Sequence, residues 1–102
     1  MVLTPESVLK KSLKRILTDR GAYWVMVAGG VYAKPGDPDI VACYHGCFIA
    51  IEAKTYKGVQ SDWQKLREKQ VKDAQGIYVV IRSTDALIQL LDDLDKISDT
   101  IE

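Results

Sequence analysis

Apolar residues recur at helical spacing near the start of the chain. They lie three or four positions apart, as one face of an amphipathic helix requires: Leu9, Leu13, Ile16 and Leu17. Thr4 suits the N-cap position and Pro5 the first helical position, while Gly21 favours a stop. The pattern therefore predicts a first helix between Pro5 and Gly21.

Short apolar runs separated by turn residues fill the middle of the chain. β-Branched and aromatic residues predict a strand over residues 23–28, and the Lys-Pro-Gly-Asp-Pro sequence at 34–38 predicts a loop. Residues 39–43 and 47–54 are then predicted to form the two strands of a hairpin around a turn at 44–46.

A helix, a strand and another helix are predicted in the rest of the chain. The helix at residues 61–74 opens with the S-x-x-Q pattern of a capping box, and Trp63 is predicted to anchor it in the core. A near-continuous apolar run at 77–81 predicts a strand buried on both faces. Ser83 or Thr84 caps a last helix whose leucines recur at helical spacing: Leu87, Leu90, Leu91 and Leu94.

The predicted element order is α-β-β-β-α-β-α, which places the chain in the α/β class with helices packed on a mixed sheet. Its 102 residues, 47% of them apolar, are expected to form one domain over residues 1–102. No apolar run approaches the ~18 residues of a membrane span, and the start lacks a signal-peptide pattern. Two cysteines indicate a reducing compartment, so we expect a cytoplasmic protein.

Charge is distributed unevenly along the chain, although the net charge is zero. Residues 1–82 carry 13 Lys and Arg against 8 Asp and Glu, whereas residues 83–102 carry one Lys against 6 acids. A basic body with an acidic tail is compatible with phosphate binding. An ordinary solvated surface explains the asymmetry equally well, so charge alone leaves a nucleic-acid partner open.

Two acids and one lysine are predicted to meet at the hairpin. Glu52 and Lys54 are two residues apart in one strand, so their side chains leave the same face. Asp39 begins the partner strand, about 5 Å away, so the two carboxylates can converge on one cation. Such a pair suits Mg²⁺, with waters and phosphate oxygens as further ligands. The alternative is a solvent-facing ion pair, although charges within the apolar run at 48–54 cost free energy unless they are paired or bound to metal.

These residues resemble a known family signature. The sequences Gly36-Asp-Pro-Asp39 and Ile51-Glu-Ala-Lys54, with 12 residues between Asp39 and Glu52, are similar to the signature of the PD-(D/E)xK nucleases. The chain most resembles their VRR-NUC branch, with an early helical glutamate, a glutamine-bearing helix, and then a glycine and an apolar strand. The resemblance runs from Glu6 to about Leu94. It implies a restriction-endonuclease-like fold of the stand-alone type known from phages and mobile elements, acting in the host cytoplasm.

The resemblance also implies a role for each matching residue. The implied ligands of Mg²⁺, for which Mn²⁺ could substitute, are Asp39, Glu52, the backbone carbonyl of Ala53, and Glu6. Lys54 would be the catalytic lysine, with Gln64 beside it. Two of these positions have simpler explanations, because an acid in a first helical turn suits the helix dipole and a capping box accounts for Gln64.

The function implied by the resemblance is metal-dependent, structure-selective cleavage of DNA by an endonuclease that hydrolyses phosphodiester bonds. Four-way junctions or flaps are the expected substrates, in DNA repair or recombination, with 5′-phosphate ends as products. One alternative is a restriction-type nuclease subunit guided by a partner chain. Another is a non-catalytic DNA-binding or assembly module, which should have lost Asp39, Glu52 or Lys54.

Further residues carry weaker predictions. Cys43, His45 and Cys47 could supply soft metal ligands, but no fourth zinc ligand is present, and His45 is expected in a turn. Asp37 is expected to be exposed. Contacts to DNA are expected from basic and aromatic residues outside the core: Lys10, Lys14, Tyr56, Lys57 and Lys65.

A homodimer is expected because one site cuts one strand, whereas a two-fold dimer presents two antiparallel sites to DNA. The last helix has more leucines than one buried stripe requires. It is therefore predicted to supply part of the dimer interface.

Overall fold

The helices and strands follow one another in the predicted order. The computed structural model describes residues 4–27, 34–55 and 57–100. Its elements are α1 (Pro5–Asp19), β1 (Tyr23–Met26), β2 (Ile40–Tyr44), β3 (Cys47–Ala53), α2 (Asp62–Asp73), β4 (Ile77–Ile81) and α3 (Thr84–Thr100). The predicted α/β class and the order α-β-β-β-α-β-α are confirmed. Across the described ranges, no helix combines the length and apolar character needed to cross a membrane.

Capping residues fix the start of two helices as predicted. The Thr4 hydroxyl accepts a hydrogen bond from the amide of Ser7 at 3.1 Å, and Pro5 is the first residue of α1. At α2 the capping box is complete, because Ser61 Oγ accepts from the Gln64 amide at 3.1 Å and Gln64 Oε1 accepts from the Ser61 amide at 2.8 Å. These contacts pair amides that would otherwise lack partners in the first turn.

The four strands form one mixed sheet in the order β1-β2-β3-β4. Neighbours are antiparallel from β1 to β3, whereas β3 and β4 run parallel, with Glu52 opposite Val80. A parallel pair needs a crossover connection, and α2 provides it. The strand at 77–81 was predicted to be buried on both faces, and it is so in part. Tyr78 and Ile81, which point to opposite faces, are buried, whereas the other three residues are partly buried because β4 lies at the edge of the sheet.

The main core lies between one face of the sheet and the two helices α1 and α3, and we call this side the α1–α3 face. Its fully buried members come from both helices and from alternate strand positions: Leu13, Leu17, Ile40, Ala42, Ile49, Ile51, Ala53, Leu87 and Leu91. Since strand side chains alternate, Glu52 and Tyr78 point to the opposite side, the α2 face.

The leucines of α3 belong to this core, which corrects the predicted dimer interface. Leu87, Leu91 and Leu94 are buried, and Leu90 packs against the same cluster. The helix contacts α1 as well as the sheet, so it buries a broader face than one stripe. The surplus of leucines is therefore used within the chain itself.

The α2 face is covered incompletely, because α2 has no fully buried residue. Trp63 was predicted to anchor this helix in the core, but 54% of it is exposed. On the part of the sheet beyond α2, Tyr23, Val25 and Phe48 are exposed as well. Only one side of this small sheet thus supports a closed core.

A polar cluster joins both core helices to the β2–β3 hairpin. One carboxylate, Asp95, accepts hydrogen bonds from the Tyr44 hydroxyl at 2.6 Å and from an Arg20 guanidinium nitrogen at 2.7 Å. His45 Nε2 lies 2.7 Å from the same carboxylate, and Arg20 also contacts Asp92 at 2.7 Å. Together these contacts lower the pKa of Asp95 from 3.8 to about 2, the Tyr44 hydroxyl having the largest effect.

We expect this cluster to contribute to acid stability in a specific pH window. A carboxyl whose pKa is lower in the folded state stabilises the fold above its usual pKa, and this contribution is lost as the pH falls from about 4 to about 2. Asp95→Asn should therefore be less stable than wild type near neutral pH and lose less stability on acidification. The free energy of unfolding in urea, measured near neutral pH and again between about pH 4 and about pH 2, tests this expectation. Asp99→Asn, at an exposed position of the same helix, is the control. Equal acid sensitivity of wild type and Asp95→Asn would contradict the expectation.

Candidate active site

Asp39 lies at the end of the sheet, in line with β2 but just before it. Strand β2 begins at Ile40, so Asp39 is one residue short of its predicted place in the strand. Its amide still bonds to β3, donating to the Ile51 carbonyl at 3.0 Å, but one residue out of the register that pairs Ile40 with Ile51. Its carboxylate accepts from the Ala53 amide at 2.8 Å and lies 3.2 Å from the ammonium of Lys10. The carboxylate is thus held against β3.

The backbone of Ala53 faces this carboxylate. In an antiparallel pair, the N–H and C=O of one residue point to the same neighbour. Since the Ala53 amide is directed at Asp39, its carbonyl is directed to the same side. A carboxylate oxygen and a carbonyl oxygen therefore lie on one side of the strand end, and both are hard oxygen donors of the kind that Mg²⁺ binds.

Glu52 is the buried acid of the site, with 1% of the residue exposed. Asp39 and Glu52 are neighbours at this end of the sheet, because Asp39 bonds through its amide to Ile51 and through its carboxylate to Ala53, the two residues that flank Glu52. One Glu52 oxygen, Oε1, accepts a hydrogen bond from the hydroxyl of Tyr78. The other, Oε2, is buried and has no hydrogen-bond partner among the described residues. A buried, unpaired carboxylate oxygen is costly, which makes it a candidate ligand for a cation.

Tyr78 is a site residue that the sequence analysis missed. It lies in β4, almost fully buried on the α2 face, with its hydroxyl directed at Glu52. Burial raises the pKa of Tyr78, and the hydrogen bond to Glu52 raises it further, so the phenol stays protonated and donates. The only signal in the sequence is a hydroxyl-bearing residue within the otherwise aliphatic run at 77–81.

Lys54 directly follows β3, and a short loop turns back along its side chain. A Cβ atom placed on Gly58 would come within 3.1 Å of Lys54 Cδ, so the loop backbone approaches the lysine stem closely. Arg82 holds the loop by donating to the carbonyls of Thr55 at 2.8 Å and Gly58 at 2.7 Å. By strand alternation Lys54 leaves the sheet on the same side as Glu52.

Gln64 lies in the first turn of α2, which covers this face. Its Oε1 accepts from the Ser61 amide, as the capping box requires, and its NH₂ group remains available as a donor to other partners. The loop before β2 is fixed to the same turn, because a Cβ on Gly36 would lie 2.3 Å from the carbonyl carbon of Trp63. The loop that carries Asp39 and the start of α2 are therefore in direct backbone contact.

The predicted group of Glu6, Asp39 and Glu52 is not closed in the described residues. Within residues 4–27, 34–55 and 57–100, no three His, Cys, Asp or Glu side chains form a group that could hold a metal. The α1 residue that reaches Asp39 is Lys10, one turn beyond Glu6 on the same helix face. Lys10 was predicted to contact DNA, and the structure instead pairs it with the candidate metal ligand.

The other residues singled out in the sequence lie in loops, turns and helices outside this group. Asp37, expected to be exposed, is half-buried: it accepts from the Lys34 amide at 2.9 Å and lies 3.6 Å from Arg67. His45 occupies the predicted turn with a φ of 50°, and both cysteines are free thiols. Lys14, Lys57 and Lys65 form no ion pair with any residue that the structure describes, whereas Tyr56 lies outside the described residues.

Comparison with known proteins establishes the fold. The sequence matches no family model and no curated protein. The structure is similar to a solved VRR_NUC domain, with a TM-score of 0.76 and 16% identity over 88% of this chain and 97% of that one. It is also similar to Hjc, a Holliday junction resolvase from Archaeoglobus fulgidus, with a TM-score of 0.59 and 22% identity over 76% of this chain and 67% of that one. The predicted resemblance to VRR-NUC and the restriction-endonuclease-like fold are thus confirmed.

Proposed function

We propose that this chain, which shares the fold of a VRR-NUC domain, is a metal-dependent, structure-selective DNA endonuclease. The observation that supports the proposal is the placement of two carboxylates at one end of the sheet. Asp39 is held against the Ala53 amide, and Glu52, the residue before Ala53, keeps a buried oxygen without a partner among the described residues. Such oxygen donors beside a lysine suit the hydrolysis of phosphodiesters, where negative charge accumulates in the transition state.

The donor set fits a divalent cation. Asp39, Glu52 Oε2 and the carbonyl of Ala53 would hold Mg²⁺, with Mn²⁺ able to replace it, because all three are oxygen donors. When bound, the cation lowers the pKa of a coordinated water and neutralises charge on the phosphate. The orphaned Glu52 oxygen would gain a partner, which offsets the cost of burying it.

Lys10 gives the metal-free site a counter-charge. Its ammonium lies 3.2 Å from Asp39 and would repel an incoming cation. We infer that metal binding displaces it, leaving Lys10 at the rim of the site, where it can meet a DNA phosphate. Glu6, one helical turn away, would then be placed to complete the site through water.

The remaining residues act on the water and on the substrate. The ammonium of Lys54 would hold the attacking water and stabilise negative charge on the phosphoryl oxygens as the bond to the 3′ oxygen breaks. The NH₂ group of Gln64 would orient that water or a phosphate oxygen. Lys14, Lys57 and Lys65, together with Tyr56, would contact the DNA backbone, which positions the substrate without reading its sequence.

We expect Tyr78→Phe to weaken metal binding more than it weakens the catalytic step. Without the hydroxyl, Glu52 Oε1 loses its donor and the carboxylate is no longer oriented with Oε2 toward the metal position. Loss of a group that orients a metal ligand typically costs about 10- to 100-fold in metal affinity. The half-saturating Mg²⁺ concentration for cleavage should rise accordingly, with much of the rate recovered at saturation. An unchanged Mg²⁺ dependence would show that Tyr78 only fills space.

A panel of DNA substrates tests the proposed activity. Duplex, flap, fork and four-way-junction DNA of matched sequence are incubated with the protein and Mg²⁺, and the cut positions and ends are mapped. We expect branched DNA to be cut faster than duplex, leaving 5′-phosphate ends. Binding of branched DNA without cleavage at any Mg²⁺ or Mn²⁺ concentration would instead support a non-catalytic module.

The second part of the proposal is a homodimer. One site cuts one strand, and a two-fold dimer is the simplest arrangement that presents two sites to a symmetric branch point. The contact surface has to differ from the leucines of α3, which are packed in the chain's own core. Light scattering with and without junction DNA measures the mass, and a monomeric mass in both conditions would contradict the dimer.

A further inference from the structure

Trp63 is an exposed tryptophan at the rim of the candidate active site. It is the second residue of α2 and 54% exposed, and Leu66, one turn further along the helix, is 40% exposed. The backbone of Trp63 touches Gly36, three residues before Asp39, and three residues span at most ~10 Å. With an axial rise of about 3.4 Å per nucleotide in each strand, the start of α2 that carries Trp63 lies only a few nucleotides from a phosphate bound at Asp39.

The indole is held in place from one side. The Arg67 guanidinium carbon lies 5.8 Å from the ring centroid, within the range of a cation–π contact. Arg67 is itself fixed, since it donates to the Pro35 carbonyl at 3.2 Å and lies 3.6 Å from Asp37. Only 14% of the Arg67 side chain is exposed, so the exposed surface of Trp63 is on the side away from it.

We propose that Trp63 stacks on an unpaired base next to the scissile phosphate and so selects branched DNA. This inference rests on the proposed nuclease function and names the structural feature that the site reads. In a continuous duplex both faces of each base are covered by neighbouring bases, whereas a base at a flap, fork or open junction offers one face. An aromatic ring accepts any such base, so the selection depends on structure and is independent of sequence.

The charges around Trp63 suit a single strand leading to the site. Lys65 lies two residues further along α2, and Lys57 lies in the loop before it; neither forms an ion pair within the described parts of the chain. By contrast, Lys69 and Lys72, farther along α2, are paired with Asp73 and Glu68. Unpaired cations at the same end of a helix as an exposed aromatic ring are a combination that suits single-stranded nucleic acid.

Abasic substitution tests the stacking partner directly. In a flap substrate, single bases are removed at each of the first few positions on either side of the scissile phosphate. For wild type, one of these positions should lower the affinity about fivefold or more, which corresponds to the loss of one stacked base. Trp63→Ala should bind the intact substrate as weakly as wild type binds that abasic substrate. Its affinity should then be the same at every abasic position. Trp63→Phe should restore most of the loss, and Leu66→Ala, a change at another exposed apolar residue of the same helix, should resemble wild type.

Fluorescence provides a readout that does not need cleavage. Trp24 is the other tryptophan, and its indole nitrogen donates to Thr18 at 2.9 Å, away from the site. In Trp24→Phe, flap DNA should quench the remaining Trp63 emission, whereas fully paired duplex should quench it much less. If branched DNA is cut but the abasic scan of wild type is flat and quenching is absent, the stacking proposal is wrong. If no DNA is cut, the nuclease proposal fails, and quenching alone then decides whether Trp63 binds a base.

Discussion

Glu52→Gln is expected to abolish cleavage while DNA binding is retained. The amide keeps the shape of the side chain and can still accept the hydrogen bond from Tyr78, but it removes the negative charge on the proposed metal ligand. A metal ion supplies several kcal/mol of transition-state stabilisation, and each 1.4 kcal/mol corresponds to about tenfold in rate, so a loss of roughly 10³-fold is expected. Single-turnover cleavage and gel-shift binding of the same junction measure the two effects.

Stability separates this interpretation from a simple loss of folding. In EDTA, Glu52→Gln should be more stable than wild type, because it removes a buried charge with an unpaired oxygen. A gain of about 1 kcal/mol corresponds to about 4–8 °C in Tm for a domain of this size. Glu68→Gln is the matched control, since Glu68 is a partly buried glutamate on α2 paired with Lys72. If Glu52→Gln cleaves as fast as Glu68→Gln, the assignment of Glu52 as a metal ligand is wrong.

Gly36→Ala should also inactivate the protein, by moving the loop that carries Asp39. Gly36 has a φ of 81°, and a Cβ there would lie 2.3 Å and 2.4 Å from the carbonyl carbon and oxygen of Trp63. Both atoms belong to the backbone of α2, so the loop has to shift. A displacement of about 1 Å at an active site can cost about 10²-fold in rate. We expect at least that loss, together with a lower Tm.

Gly21→Ala isolates the conformational part of this effect. Gly21 has a φ of 82°, almost the same as Gly36, but a Cβ at Gly21 meets no atom within 4 Å. Left-handed backbone costs an alanine about 1–2 kcal/mol, so Gly21→Ala should lose stability and keep its cleavage rate. Equal losses of activity in the two variants would show that the close contact of Gly36 with α2 has no role in placing Asp39.

Local patterns predicted most of the elements correctly, because their signals lie within a few residues. The capping residues Thr4 and Ser61 begin helices where the sequence indicates, and the hairpin turns at His45. Some ends differ by one residue: Asp39 precedes its strand, and β3 ends at Ala53 instead of Lys54. Such differences depend on which backbone hydrogen bonds the neighbouring strands can complete.

Errors arose where the outcome depends on contacts between distant parts of the chain. Trp63 was predicted as a core residue from its type, yet α2 lies on the outer side of a small sheet and buries no residue fully. Part of α3 was assigned to an interface because the helix has more leucines than one buried stripe needs. The additional leucines pack in the core that α3 forms with α1 and the sheet. Neither helix packing arrangement can be read from local spacing.

In the candidate site too, local features could be predicted from the sequence and contacts between distant residues could not. The alternation of a strand predicts that Glu52 and Lys54 lie on one side, and the hairpin brings Asp39 to the residues that flank Glu52. The pairing of Lys10 with Asp39 joins residues 29 positions apart on different elements, and the contact of Tyr78 with Glu52 spans 26 positions. These two contacts decide the charge and orientation of the carboxylates, and they follow from the packing of α1 and β4.

The dependence of junction cleavage on Mg²⁺ tests the central claim most directly. Wild type and Asp39→Asn are purified identically, stripped of metal with EDTA, and assayed on four-way-junction DNA over a series of Mg²⁺ concentrations. The account predicts saturable cleavage by wild type that EDTA stops, and no cleavage by Asp39→Asn at any concentration. Cleavage by wild type in EDTA, or equal Mg²⁺-dependent cleavage by both proteins, would contradict a metal site built on Asp39 and Glu52.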